Sequence, residues 1–261
     1  MADTSYDVPA VRKAIGLLTL LSQTETPLGV SEVSRALGIN KNMAFRLLAT
    51  LRDEGWVLPV TDEPKYRLSL RPFQVASQSV ARMQLGTAAE APLRALWQDT
   101  GESCYLGTLY DDQALFVAHL DGTGAVKIAG RVGGCYPLQC AAAGTVLLAY
   151  GGAALFTRVT AHGLQRFTAQ TLADPTSLRA DLDAITARGW ALDNEEHGRG
   201  IICAAAPVFD HQSLVIGAVG VSVTTISYTA EDVLAQLVPR VCAASAAISR
   251  VLGYAPRVLE R

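Results

Sequence analysis

The stretch from Arg188 to Asp210, continuing into Gly217–Thr224, constrains this chain more than any other. It gathers Asp193, Glu195, Glu196, His197 and Cys203 between a turn and two apolar runs, Ile201 to Val208 and Leu214 to Val223. Runs of small and β-branched residues bounded by turn residues predict strands, and Phe209, Asp210, His211 and Gln212 between them predict a hairpin. Gly217 and Gly220 on the second strand leave its backbone open to close approach. A polar cluster held against two buried strands is where small-molecule recognition or chemistry is expected.

At 261 residues the chain has room for two modest domains, and half of it is hydrophobic against 18% charged. That balance belongs to soluble globular proteins and excludes a disordered chain. The longest low-polarity run, Cys140 to Phe156, is broken by Gly144, Thr145, Gly151 and Gly152 and falls short of a bilayer span. Met1 to Val8 is polar and acidic, unlike a secretory leader, so a cytoplasmic protein is expected. Five cysteines without a C-x-x-C pair argue against a disulfide framework and against a common structural zinc site. Charge is uneven, with ten Lys and Arg against eight Asp and Glu in residues 1–82 and twelve against sixteen in the remainder. A mildly basic head on an acidic body suits a head that meets nucleic acid.

In that head, Val11, Ile15, Leu18 and Leu21 recur at spacings of four and three, which makes one face of a helix. Ser31 stands at an N-cap position with Glu32 behind it, and predicts a short helix Glu32 to Leu37 ending at Gly38. Asn40 caps a second helix with Met43, Leu47, Leu48 and Leu51 as its buried face and Lys41, Asn42, Arg46 and Arg52 outside it or at its edge. Gly55 ends that helix, and Trp56 to Leu58 and Lys65 to Leu68 read as two strands. The charges alone fit a solvated helical subdomain. Two capped helices joined by a glycine turn and followed by a hairpin instead fit a winged helix-turn-helix, whose second helix presents its N-terminal residues to base edges. Ser31, Lys41, Asn42, Arg46 and Lys65 are the residues expected to meet DNA.

Residues 71–85 read as a connecting helix, and from residue 86 the pattern changes. A helix Ala89 to Gln98 precedes strands Glu102 to Tyr110, Gln113 to Leu120 and Val126 to Val132. Gly133 to Gly144 reads as a loop entering a helix Thr145 to Tyr150, and its glycine- and alanine-rich end leaves backbone N–H groups open to an anion. Helices Ser177 to Arg188 and Ala230 to Leu252 complete an antiparallel sheet covered by helices, an α+β fold.

Three segments carry a family resemblance. Gly189-Trp-Ala-Leu-Asp193-Asn-Glu195-Glu196, Gly200-Ile-Ile-Cys203-Ala-Ala-Ala-Pro207-Val-Phe-Asp210 and Ala218-Val-Gly-Val-Ser222 closely resemble, as one gapless block, the signature of the IclR family of bacterial transcriptional regulators. Phe45 to Trp56 is similar to the family's RLL-x-TL-x-x-x-G run, and Gly133 to Gly144 to its G-x-x-x-PLH-x-x-AAGK segment. The resemblance covers essentially the whole chain. It implies a winged helix-turn-helix over residues 1–70, a linker helix over 71–85, and a GAF-like effector-binding and oligomerisation domain over 86–261. It implies a homodimer or homotetramer that binds operator DNA and a small-molecule effector, with no cofactor. Carried over residue by residue, the effector meets the backbone near Ala142 and Ala143 and the side chains of Asp193, Cys203 and Ser222. The chain has Thr145 where the family often has Lys, and Gly220 where it often has Ser. Losing a cation and a hydroxyl implies a roomier, less polar site, suited to an organic acid with a hydrophobic or aromatic portion.

Each site residue also has a plainer reading. Cys203 is a nucleophile with His197 as base, a small buried residue, or, by the resemblance, a lining of the effector pocket. Asp193 accepts from a ligand at the pocket wall or only caps a turn. Glu195 and Glu196 stay on the surface or hold the loop by salt bridges. No pair in the cluster has a spacing typical of zinc. The rival to a ligand-responsive regulator of a catabolic or metabolic operon is a Cys- or metal-dependent hydrolase with an accessory head, or a winged helix that binds only protein.

Overall fold

Cys104 and Leu106 pack on one side of a sheet and Tyr105 on the other, and this period of two organises the larger of two compact units, Met1–Ser79 and Val80–Arg261. The structure is a computed structural model that describes residues 8–75 and 85–255.

The first unit contains α1 (Pro9–Gln23), β1 (Leu28–Gly29), α2 (Val30–Ala36), α3 (Lys41–Asp53), β2 (Val57–Pro59) and β3 (Lys65–Leu68). The strands form an antiparallel sheet in the order β1-β3-β2, so the wing is a hairpin with a third short strand beside it. Leu17, Leu21, Val33, Ala44, Leu48, Leu51 and Val57 form the core. Asn40 caps α3 as expected, its Oδ1 accepting the Met43 N–H at 2.8 Å. The cap of α2 is Gly29 and not Ser31. Glu32 reaches back to accept the Gly29 N–H at 2.7 Å, which starts the helix early and leaves Ser31 exposed in its first turn. Met43 and Leu47 are only half-buried, and Ala44 takes the fully buried place beside Leu48. Residues 71–75 are helical, and the rest of the expected linker helix, 76–84, lies outside the described residues.

The second unit contains α4 (Leu85–Thr100), β4 (Ser103–Tyr110), β5 (Gln113–Leu120), β6 (Cys135–Pro137), α5 (Ala142–Tyr150), α6 (Gly152–Thr160), α7 (Pro175–Arg188), β7 (Ala191–Asn194), β8 (Ile201–Phe209), β9 (Val215–Thr224), α8 (Ala230–Asp232) and α9 (Val238–Val251). All the strands pair antiparallel in the order β6-β5-β4-β9-β8-β7. Leu93 and Leu96 of α4, and Val241 and Ile248 of α9, pack on the face that carries Cys104, Ala204 and Val221. Val146, Leu155 and Leu182 from α5, α6 and α7 pack on the opposite face with Tyr105, Ala205 and Ala218.

Four local expectations change. Residues 126–132 do not form a strand, and the Ile128 carbonyl accepts from Ser103 Oγ at 2.9 Å. Gly130 approaches the His119 imidazole so closely that a Cβ there would strike the ring. The sixth strand lies instead at Cys135–Pro137, within the expected loop, and α5 begins at Ala142, three residues early. The expected single helix over 230–252 is interrupted by a π-helical turn, Val233–Leu237, before Pro239. Proline offers no N–H to the preceding turn, so the helical ladder is rearranged there. The helix α6 and strand β1 carried no signal strong enough to be expected.

Candidate functional site

Strand register brings the signature residues together. Asp193 lies opposite Cys203, Cys203 opposite Ser222, and Tyr105 opposite both Gly220 and His119, so one face of five neighbouring strands carries the cluster. Above it a cavity of about 190 Å³ is lined by Ala142, Ala143, Asp193, Cys203 and Ser222, all five residues expected at the effector site. The same cavity is lined by His197 of the expected polar cluster and by Tyr105, Phe116, His119 and Tyr136, which the sequence reading did not assign to it.

Asp193 is 2% exposed. Its Oδ1 accepts the N–H groups of Glu196 at 2.7 Å and His197 at 3.2 Å, so the turn-capping role holds. Among the described residues Oδ2 takes no hydrogen bond, and burial raises the carboxyl to about 7 against the pull of those two N–H groups. Near neutrality Asp193 therefore shares its time between donor and acceptor. Glu195 holds the loop by a backbone bond and not by a salt bridge, Oε1 accepting the Gly200 N–H at 2.9 Å. Glu196 is half-buried and raised to about 8, first by burial and then by the nearby Asp193 and Asp181 carboxylates. Thr168 and Thr171 donate to the Glu195 and Glu196 carbonyls at 2.7 and 2.6 Å and fix the turn.

Cys203 Sγ lies 3.1 Å from Ser222 Oγ. Burial pushes its thiol up, burial pushes His197 down, and no hydrogen bond joins the two among the described residues. A nucleophile needs the opposite, a thiolate beside its base, so the hydrolase reading has no support in this geometry. Among the described residues no three His, Cys, Asp or Glu side chains come together as a metal-binding group.

An aromatic wall closes the cavity. Tyr105 stacks on Phe116 at 4.4 Å with 9° between the rings, Phe116 meets Tyr136 at 4.2 Å, and Tyr136 meets the edge of His197 at 5.8 Å. Tyr105 also overturns the expectation that Gly220 leaves free space for a ligand: a Cβ on Gly220 would meet the Tyr105 ring and the Ala204 carbonyl, so the tyrosine already fills that space. Thr145 is not part of the wall either, being buried with its hydroxyl donating to the Ala142 carbonyl at 3.1 Å. At the cavity edge His119 Nε2 lies 3.1 Å from Asp121 Oδ1, while its buried Nδ1 has no hydrogen-bond partner among the described residues. A lone histidine at a strand end gave no sequence signal for this. The start of α5 has Ala141 at the N-cap with no side-chain cap, leaving the N–H groups of Ala142 and Ala143 for an anion.

In the first unit Lys41, Asn42 and Arg46 are exposed at the N-terminal half of α3, and among the described residues none of their side chains has an intramolecular partner. Arg52 is tied to Asp53 at 2.7 Å, and Lys65 on the wing to Glu63 at 2.8 Å. Ser31 is exposed on α2. Phe45, which sequence reasoning did not single out, is 54% exposed on α3.

A sequence profile described as bacterial transcriptional regulator IclR C-terminal matches residues 77–250, and one described as the IclR helix-turn-helix domain matches residues 10–59. The chain is 30% identical over 249 residues to the HTH-type transcriptional regulator XynR of Escherichia coli, which spans 95% of this chain and 98% of that protein. It is 31% identical over 248 residues to the glycerol operon regulatory protein of Streptomyces coelicolor, spanning 95% and 97%. The crystal structure of an IclR transcriptional regulator from Alicyclobacillus acidocaldarius matches with a TM-score of 0.81 at 28% identity, over 95% of this chain and 100% of that one. No helix among the described residues is long and apolar enough to cross a membrane. With both units matched and relatives aligned over nearly their full length, the chain belongs to the IclR family of bacterial transcriptional regulators and is an effector-responsive DNA-binding protein, not an enzyme.

Proposed function

We propose that this regulator senses a small carboxylic acid with an aromatic or compact hydrophobic body, and that it controls an operon for the metabolism of such a compound. The observation that carries the reading is the aromatic wall of Tyr105, Phe116 and Tyr136 facing the α5 start across a cavity of about 190 Å³. A void of ~150 Å³ already holds one benzene ring, so this one suits a single substituted ring. The backbone N–H groups of Ala142 and Ala143 take the carboxylate, and Asp193, raised to about 7, donates to it when protonated.

DNA is read by Lys41, Asn42 and Arg46 on α3, with Ser31 and Lys65 at the flanks. One such head covers one half-site, so specific binding needs at least a homodimer with heads about one helical turn, or a multiple, apart. Effector binding need shift the balance of head geometries by only ~1–3 kcal/mol to change operator occupancy.

Thermal unfolding with benzoate and with glyoxylate as probes tests the ligand class. A ligand at 100 times its Kd stabilises the unit by about 2.7 kcal/mol. Benzoate is expected to stabilise the protein and glyoxylate to do so far less, and benzoate binding should weaken as pH rises above 7. Asp193→Asn, which keeps the turn-capping oxygen, should bind benzoate with little pH dependence. Equal shifts from both acids, or an unchanged pH dependence in the variant, would place the ligand elsewhere.

A further inference from the structure

From the outer surface of α3 we infer that Phe45 contacts thymine C5-methyl groups in the major groove, so that each half-site carries a thymine beside the bases met by Asn42 and Arg46. The fold has no use for this ring. Ala44, Leu48 and Leu51 are 0%, 0% and 9% exposed and supply the buried face of the helix, while Phe45 stands 54% exposed. Among the described residues it shares with Phe73 the lack of a ring or cation contact, whereas Phe116, Phe156, Phe167 and Phe209 each make one.

Position then says what the ring meets. Asn42, Phe45 and Arg46 are spaced i, i+3, i+4, which places their side chains next to one another on the helix surface. Lys41 and Arg46 carry the charge of the N-terminal half of α3, with no acid before Asp53, which is tied to Arg52 at the helix end, so this half of the surface is matched to a polyanion. In the major groove Asn pairs with adenine and Arg with guanine through two hydrogen bonds, and the thymine methyl is the one apolar feature a base pair presents there. A benzyl side chain set beside Asn42 has that methyl as its complement, and can neither donate to a phosphate oxygen nor pair with a polar base edge. The inference rests on the reading of α3 as the helix that meets the bases, and is independent of the effector reading.

The test replaces each operator thymine in turn by uracil, which removes only the methyl, and measures binding by the full-length protein and by Phe45→Ala. Burying one methyl accounts for about a fourfold change in affinity. The wild type is expected to lose about that factor at one position, or at two neighbouring ones, repeated symmetrically in the two half-sites. Phe45→Ala should lose nothing at those positions, while keeping the parent's salt dependence and melting temperature. Should Phe45→Ala bind too weakly to titrate, Phe45→Leu carries the same comparison. Tolerance of uracil everywhere by the wild type overturns the inference. So does an equal uracil penalty in the variants, and a change in sedimentation of Phe45→Ala with the uracil penalties intact would assign the ring to a protein contact instead.

Discussion

The two units keep the residues proposed to do their work in opposite places. In the DNA-binding unit Lys41, Asn42, Phe45 and Arg46 lie outside the core of Leu17, Leu21, Val33, Ala44, Leu48, Leu51 and Val57, and hold none of the fold. In the effector unit the site and the scaffold share residues: Asp193 ties its turn, Cys203 and Ser222 meet across strands, and Tyr105 covers Gly220. Surface substitutions away from special features stay within about 0.5 kcal/mol of the parent, so operator preference can change with little effect on stability. Every change in the effector cavity is also a change in packing, and affinity and stability move together there.

Gly220→Leu should show the largest effect. Its Cβ has no room beside Tyr105 and the Ala204 carbonyl, so the effector unit should lose ~3 kcal/mol or more, read as a fall in its urea midpoint. A parent-like midpoint would mean that the strand can part from Tyr105 and that site and scaffold are separable after all.

Next in size is the response to pH. Asp193 is raised to about 7 and Glu196 to about 8 in the fold, against roughly 4 for unfolded carboxylates. The folded unit therefore holds protons that the unfolded chain releases. These groups weaken no stability below about pH 4, take it away progressively as pH rises through the folded values, and have no further effect above them. Asp193→Asn is expected to reduce that loss by ~2–3 kcal/mol between pH 5 and 9, measured by urea unfolding of full-length protein at each pH. A decline of equal depth in the variant would show that the Asp193 site is wetter than its burial implies.

On the DNA-binding side, Arg46→Ala should cost ~1–2 kcal/mol of operator affinity and lower the salt slope by about one if the contact is to phosphate, with the melting temperature unmoved. A stability loss comparable to the affinity loss would erase the contrast between the units. Smallest is Asn40→Ala, which removes the cap from Met43 N–H and should destabilise the DNA-binding unit by ~1 kcal/mol, leaving ligand-induced shifts in the effector unit unchanged.

How much of this was legible in the sequence follows from the range of the interactions. Asn40 as a cap, the α3 helix and the β8–β9 hairpin depend on neighbours a few residues away, and each was found. Asp193, Cys203, Ser222, Ala142 and Ala143 were placed by family resemblance; the register brings the first three together, and the start of α5 brings the other two to the same cavity. Ser31 misled because Glu32 could bond either way, and the backbone of Gly29 was the partner it took. The role of Gly220 was misread because Tyr105, which fills its space, lies 115 residues earlier and meets it only through pairing of β4 with β9. His119 and the aromatic wall were illegible for the same reason: nothing local distinguishes a tyrosine or phenylalanine facing a cavity from one facing core.

That β4–β9 pairing also sets an order of events during synthesis. Ser103 sits opposite Ser222 in the middle of the sheet, so β4 lacks its inner neighbour until nearly the whole chain has been made. The core of the DNA-binding unit is drawn from residues no later than Leu68. At roughly 5–20 residues per second, a ribosome takes about ten seconds or more to travel from there to the end of β9. During that interval a nascent chain carries a finished half-site head and no finished sensor to govern it.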